Sequence, residues 1–144
     1  EQDIVYREPP AAPAPGAPAP ALTPAPDAGE WQQEFAPDPV LLFRYSALTY
    51  NGHRIHYDLP YARDEEGYPS LVVHGPLTAT LLQNFAATCV PGKAMKKFEF
   101  RGVHPLFVNA AFSLQGAKGE DGGLKVWARG PQGELSMQAT AVFA

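Results

Sequence analysis

Cysteine is almost missing from this chain. Its one cysteine, Cys89, excludes an internal disulfide. The thiol lies in an apolar context near an expected helix end, which reads as a buried inert group rather than a nucleophile. Long apolar runs are missing too. No stretch approaches the ~18 apolar residues of a membrane span, so no membrane partner is expected. Positive charge is in deficit: 11 Lys and Arg stand against 15 Asp and Glu, a formal charge of −4. That balance offers a polyanion nothing, so no nucleic acid partner is expected. Glu1-Gln2-Asp3 is acidic and no apolar segment follows it. A secretory leader is therefore not expected, and the cytoplasm is the default compartment.

Proline, by contrast, is plentiful and unevenly placed. Eight of the 16 prolines fall in residues 9–26. Such a run supplies neither a helix interior nor a central strand. It predicts an extended, polyproline-like linker. The run lacks the flanking charges of a ligand for a polyproline-binding domain. Before it, Ile4, Val5 and Tyr6 favour a strand. A linker joins two things, so residues 1–8 are expected to be the tail of an upstream domain. Residues 9–30 are then the linker and residues 31–144 a single domain. The length and a hydrophobic content of 45% suffice for one packed core.

Within that domain, Trp31 to Phe35 reads as a strand. Asp38 is a good N-cap and Pro39 a good first helical residue, so a short helix is expected over Val40 to Leu48. Leu41, Tyr45 and Leu48 would share its buried face. The β-branched and aromatic content of this segment keeps a strand as the alternative. Residues 49–69 look irregular, with room for one helical turn between Tyr57 and Arg63. Leu77, Leu81, Phe85 and Cys89 then recur at about one helical turn, with Leu82 widening the stripe. No residue from 77 to 90 is charged, and such a helix belongs inside something; Pro91-Gly92 ends it. The last third alternates with period two. Phe98 and Phe100, Phe112 and Leu114, Leu124 to Ala128, and Leu135 to Phe143 each place apolar residues on one face. Gly116 to Gly123 and Gly130 to Gly133 are the expected turns. The pattern predicts an α+β fold, an antiparallel sheet wrapped around one long central helix.

Three of the 4 histidines, His53, His56 and His74, fall in residues 49–76. Handling a thioester needs an acid/base group and backbone N–H groups for a developing oxyanion. This stretch offers both. Two segments carry a resemblance: Phe43-Arg44-Tyr45-Ser46-Ala47-Leu48-Thr49-Tyr50-Asn51-Gly52-His53-Arg54-Ile55-His56-Tyr57-Asp58, and Glu66-Gly67-Tyr68-Pro69-Ser70-Leu71-Val72-Val73-His74-Gly75-Pro76-Leu77. With the helix and strands that follow, they resemble the MaoC-like hot-dog hydratase/dehydratase family, within it the mesaconyl-C4-CoA (3-methylfumaryl-CoA) hydratase-like branch. The resemblance runs from about Trp31 to Ala144. It implies a hot-dog fold and reversible hydration of a 2-enoyl-CoA, such as a short branched or dicarboxylic acyl-CoA. The acyl-CoA is substrate, and no further cofactor is implied. Members of the branch resemble a double hot dog, so a homodimer or pairing with a second hot-dog domain is expected.

The family's acid/base motif is an Asp, four residues, then a His. Counting back from His56 reaches Asn51, so the spacing is kept and the carboxylate is not. An amide takes no proton at neutral pH, but it orients water or a thioester. The resemblance therefore puts the proton chemistry on His56, positioning on Asn51 and enolate binding on the Gly75 N–H. Asp58 folding back is one way to restore a carboxylate. His53, Arg54 and His74 are the expected substrate-binding residues. Each has a plainer reading: Asn51 as a turn residue before Gly52, His53 in solvent, Arg54 in a surface ion pair, His74 shaping a turn. His104, before Pro105, reads as structural. The spacing of His53 and His56 does not fit short metal sites, so no metal is expected. A hot-dog thioesterase is the alternative enzyme, though residues 77–88 hold no acid to activate water. A non-catalytic half serving as an assembly partner is the alternative outside enzymes.

Overall fold

Period-two alternation in the last third does produce strands. In the computed structural model, which describes residues 21–108, 110–119 and 122–144, they are β2 (Met95–Gly102), β3 (Phe112–Lys118), β4 (Leu124–Arg129) and β5 (Leu135–Phe143). β1 is Trp31–Phe35, and the two α-helices are α1 (Pro39–Thr49) and α2 (Gly75–Cys89). A 3-10 turn at Arg54–His56 and a π-helical turn at Tyr61–Glu65 lie between the helices. Expectations for residues 1–8, and for the linker before residue 21, fall outside the described residues.

All four strand pairings are antiparallel, in the order β1-β3-β4-β5-β2. α2 packs on the inner face of this sheet, the hot-dog arrangement. Leu82 and Ala86 are completely buried there, and Phe85 is 5% exposed. Phe85 also explains one departure from expectation. The turn expected from Gly116 starts later, because Gly116 continues β3 beneath the Phe85 ring; a Cβ at that position would lie 3.2 Å from Phe85 Cε1. α2 is not enclosed on every side. Thr80, Gln83, Asn84, Ala87 and Thr88 face outward and are exposed. No helix among the described residues is long and apolar enough to cross a membrane.

α1 forms as a helix, which settles the helix-or-strand alternative. Asp38 Oδ1 accepts the Leu41 N–H at 2.9 Å, and Pro39 opens the helix. Its buried face is rotated from the one expected. Leu42 and Ser46 are buried, Leu41 and Tyr45 only partly, and Leu48 is 80% exposed. The four-residue repeat 42–46 meets the core because the helix end is pinned to the loop that follows it.

The outer face of the sheet is covered as well. Residues 23–30, expected as the end of the linker, run across it. Leu135 N–H donates to the Thr23 carbonyl, Ala25 N–H to the Gly133 carbonyl, and Gly29 N–H to Gln115 Oε1. His104 has a structural task here: its Nε2 accepts the Thr23 N–H at 3.0 Å. This cover buries the outward residues Gln115 and Trp127, which simple alternation would leave in water. Gly29 sits so close to β3 that any Cβ would collide with the Gly116 backbone. Gly29→Ala is expected to lower stability by about 1–3 kcal/mol, the cost of overpacking. Urea unfolding checks this. Gly102→Ala, where a Cβ meets nothing within 4 Å, should leave the midpoint within experimental error.

Candidate active site

The C-terminus of α1 places the first half of the site. Tyr50 ends the helix in the left-handed region (φ 53), and Asn51 N–H closes back on the Ser46 carbonyl at 2.9 Å. Asn51 Oδ1 then accepts the His53 N–H at 3.0 Å, a side-chain turn that starts the path to the 3-10 turn. That turn buries Ile55 and His56 and leaves His53 and Arg54 in solvent. The second half comes from Leu71 to Gly75. Val72 N–H donates to the Ile55 carbonyl at 3.0 Å, and the Val72 carbonyl accepts from His56 Nδ1 at 2.7 Å. Two motifs separated by 16 residues are thereby clasped together.

The clasp sets the tautomer of His56. A carbonyl only accepts, so Nδ1 carries the proton and Nε2 keeps a lone pair. Burial lowers the His56 pKa below its ordinary value. The Val72 carbonyl opposes that shift, and His53 adds to it through charge repulsion. His56 is thus neutral at pH 7, the form a general base needs.

His74 lies behind His56. It is 0% exposed, with its ring stacked on His56 at 3.7 Å between centroids and 17° between planes. The Tyr45 ring also lies against it, tilted, at 4.8 Å between centroids. His74 Nε2 and Ser46 Oγ share a hydrogen bond of 2.8 Å, while Nδ1 is buried with no partner among the described residues. Burial, and then repulsion from His56, push the His74 pKa down to about 4. His74 is an expected substrate contact; its ring is fully buried here. Sequence reasoning missed Ser46 altogether, having put Leu41, Tyr45 and Leu48 on the buried face. The available signal was a serine four residues after Leu42, in a helix interior that gains nothing from serine.

Arg54 and Asp58 are occupied with each other. Arg54 Nε and Nη2 both donate to Asp58 Oδ2, at 3.0 and 2.7 Å, and the guanidinium lies 4.2 Å over the Tyr61 ring. Asp58 Oδ1 accepts the Tyr61 N–H. This pairing lowers the Asp58 pKa and raises that of Arg54. Asp58 does not fold back toward Asn51, so it does not restore a carboxylate there. Arg54 forms the surface ion pair that was its plainer reading. His53 is exposed, with its ring edge-on to His56 at 5.7 Å. Gly75 is the first residue of α2, where backbone N–H groups have no helical partner, and a Cβ there would meet nothing within 4 Å. Among the described residues, no cluster of three or more His, Cys, Asp or Glu side chains is placed to hold a metal. Burial raises the Cys89 pKa, so it stays a thiol at neutral pH.

A shallow cleft of about 270 Å³ opens beside the first motif, lined by Phe43, Ser46, Ala47, Tyr50, Asn51, Gly52 and Tyr57. A larger one, about 680 Å³, lies on the outer face beside Trp127, across the sheet from the histidines. The smaller cleft is the one that reaches Asn51 and Ser46, the partner of His74.

Comparison with known proteins bears on what these groups do. The sequence profile of hydroxyacyl-thioester dehydratase type 2 matches residues 1–108, most of the chain. The chain belongs to that family. It is 49% identical over 143 residues to the mesaconyl-C(4)-CoA hydratase of Chloroflexus aurantiacus, a match covering 97% of this chain and 48% of that protein. The chain therefore spans about half the length of that relative. Among solved structures, HtdX of Mycobacterium tuberculosis superposes with a TM-score of 0.65 at 26% identity, covering 88% of this chain and 49% of HtdX. The (R)-hydratase of A. caviae involved in PHA biosynthesis superposes with a TM-score of 0.67 at 18% identity, covering 81% of this chain and 95% of that one. The second likeness shows the hot-dog fold alone.

Proposed function

We propose that this chain is the catalytic part of a hydratase/dehydratase acting on 2-enoyl thioesters. The observation that carries the reading is the His56–Val72 clasp. It holds a neutral imidazole with its Nε2 lone pair free, next to the start of α2. In hydration, His56 Nε2 takes a proton from water as the water oxygen bonds to Cβ of the enoyl thioester. The Cα=Cβ pair of electrons moves to the thioester oxygen as an enolate. The Gly75 N–H, at the positive end of α2, holds that oxygen. The proton on His56 then passes to Cα and restores the thioester. Dehydration is the same path reversed. Asn51 positions the water or the thioester. The step balances with water alone and calls for no cofactor beyond the CoA carried by the substrate.

Mesaconyl-C4-CoA is the substrate we favour, by similarity to the Chloroflexus relative. The thioesterase alternative lacks support in α2, which presents no carboxylate to activate water for attack at the carbonyl. A second hot-dog domain is the expected partner, in the same chain or in another. Among the described residues β2 is an edge strand, mostly exposed, and the outward face of α2 is uncharged. Both are surfaces that a second sheet-and-helix layer would cover. Incubation with mesaconyl- or crotonyl-CoA tests the reaction. Loss of enoyl absorbance without free thiol is expected; thiol release without hydration would make the protein a thioesterase.

A further inference from the structure

His74 is an ionisable side chain that the reaction above does not use, yet the fold invests in it. It is completely buried, one ring nitrogen has no partner among the described residues, and the other is tied to a serine. An unpaired buried polar atom costs on the order of 1–3 kcal/mol, so a plain core residue here would be more stable. What His74 provides is geometry. Its ring lies flat against His56, 3.7 Å away and tilted by only 17°. Its own rotation is limited by the 2.8 Å bond to Ser46 Oγ and by the Tyr45 ring, 4.8 Å away. α1 supplies both Ser46 and Tyr45, and its C-terminus leads directly into the turn that carries Asn51 and His56.

We propose that Ser46 and His74 are positioning residues for His56: Ser46 holds the His74 ring, and that ring holds the plane of the His56 imidazole. The proposal rests on the reading of His56 as the acid/base group. His56 has one strong in-plane anchor, the Val72 carbonyl, which leaves the ring free to swing about that bond. The stacked His74 face removes this freedom and keeps Nε2 aimed beside the N-terminus of α2. The arrangement also assigns the two protons. His56 carries its proton on Nδ1, for Val72. His74 carries its proton on Nε2, for Ser46, because a buried unpaired acceptor is more readily tolerated than a buried unpaired N–H. A second cation at stacking distance would be repelled, and burial keeps His74 neutral while His56 takes up a proton. The other titratable rings against the pair are His53, edge-on to His56, and Tyr45, against His74.

The test combines imidazole ¹⁵N NMR with steady-state kinetics on the full chain, using Ser46→Ala, His74→Phe and the double variant. In the unaltered protein, His56 should show the Nδ1–H tautomer alone, and His74 should show Nε2–H and stay neutral at pH 6. Each single variant should keep the Nδ1–H tautomer that Val72 sets and broaden the His56 ring signals, as the ring swings about that bond. Each should lower kcat by roughly tenfold with KM within about twofold, the pattern of lost orientation. The double variant should lose no more than either single one, since the two groups act as a unit. Mixed His56 tautomers or an ordinary His74 titration in the unaltered protein would overturn the proposal. So would folded variants that keep sharp His56 ring signals and an unchanged kcat. An active His56→Ala enzyme would sink the acid/base reading instead, and the NMR result would still decide whether Ser46 and His74 position the ring.

Discussion

Replacing His56 with alanine is expected to lower kcat/KM by roughly 10²- to 10⁴-fold, the usual contribution of a positioned acid/base group. The loss should fall on kcat, with KM little changed, because the imidazole acts on water and on Cα rather than on the CoA moiety. The reason for so large an effect lies in the site itself. Asn51 accepts no proton, and Asp58 is held by Arg54 and the Tyr61 N–H. His53 is exposed, and His74 is sealed behind His56. Among the described residues, no neighbour is placed to take over. The substitution also deletes the bond to the Val72 carbonyl, worth about 1 kcal/mol of stability, so far-UV circular dichroism should confirm that the variant is folded before rates are compared. The pH profile offers a second check. Activity should hold well into mild acid and then fall along a limb below 6.5, because burial lowers the His56 pKa from that value. A His56→Ala enzyme with an unchanged rate would remove the basis of the proposed chemistry.

Acid should destabilise the fold, and His74 should be the main cause. Its pKa is near 4 in the folded chain, against an ordinary value of 6.5. Between those two values the unfolded chain binds a proton that the folded chain does not. Stability from this group is therefore complete above about 6.5 and is lost progressively as the pH falls toward about 4. A gap of that size corresponds to on the order of 3 kcal/mol. The lowered pKa of His56 acts in the same direction. Urea midpoints measured across this range should fall steeply in the unaltered protein. His74→Phe should flatten the slope. A slope that His74→Phe leaves unchanged would place the acid sensitivity elsewhere.

The two effects share one origin, the packing of two imidazoles face to face in a place where neither is easily charged. That packing follows from how α1, the 3-10 turn and the Leu71–Gly75 segment meet. It is also the part of the site least visible in the linear chain. His56 was legible from its spacing to Asn51 and from the family resemblance, and Gly75 from its place at the start of an uncharged helix. Ser46 was not, because the helical repeat of α1 allows two faces, and the more apolar one, Leu41 with Tyr45 and Leu48, reads as the inner face. The competing face through Leu42 and Ser46 wins: Leu42 is completely buried, and Ser46 hydrogen-bonds the buried His74. Arg54 shows the converse. Its i,i+4 relation to Asp58 made an ion pair foreseeable, and the structure forms it.

The sequence by itself determined the elements and the chemistry available to them. Asp38-Pro39 starts α1 and Pro91-Gly92 stops α2 through local capping and steric rules. Period-two alternation makes the four C-terminal strands, since a sheet buries every second residue. One uncharged stripe from Leu77 onward had to become the central helix. Only the tertiary structure decided which faces are closed and which groups touch. It laid residues 23–30 over the outer face, burying Gln115 and Trp127 that alternation alone would expose. It continued β3 through Gly116 because the Phe85 ring needs that space. It joined His56 to Val72 and stacked His56 on His74, contacts between residues far apart in the chain. Capping and periodicity are short-range and can be read along a sequence. Ring stacking, tautomer and burial arise only when separate segments are brought into contact.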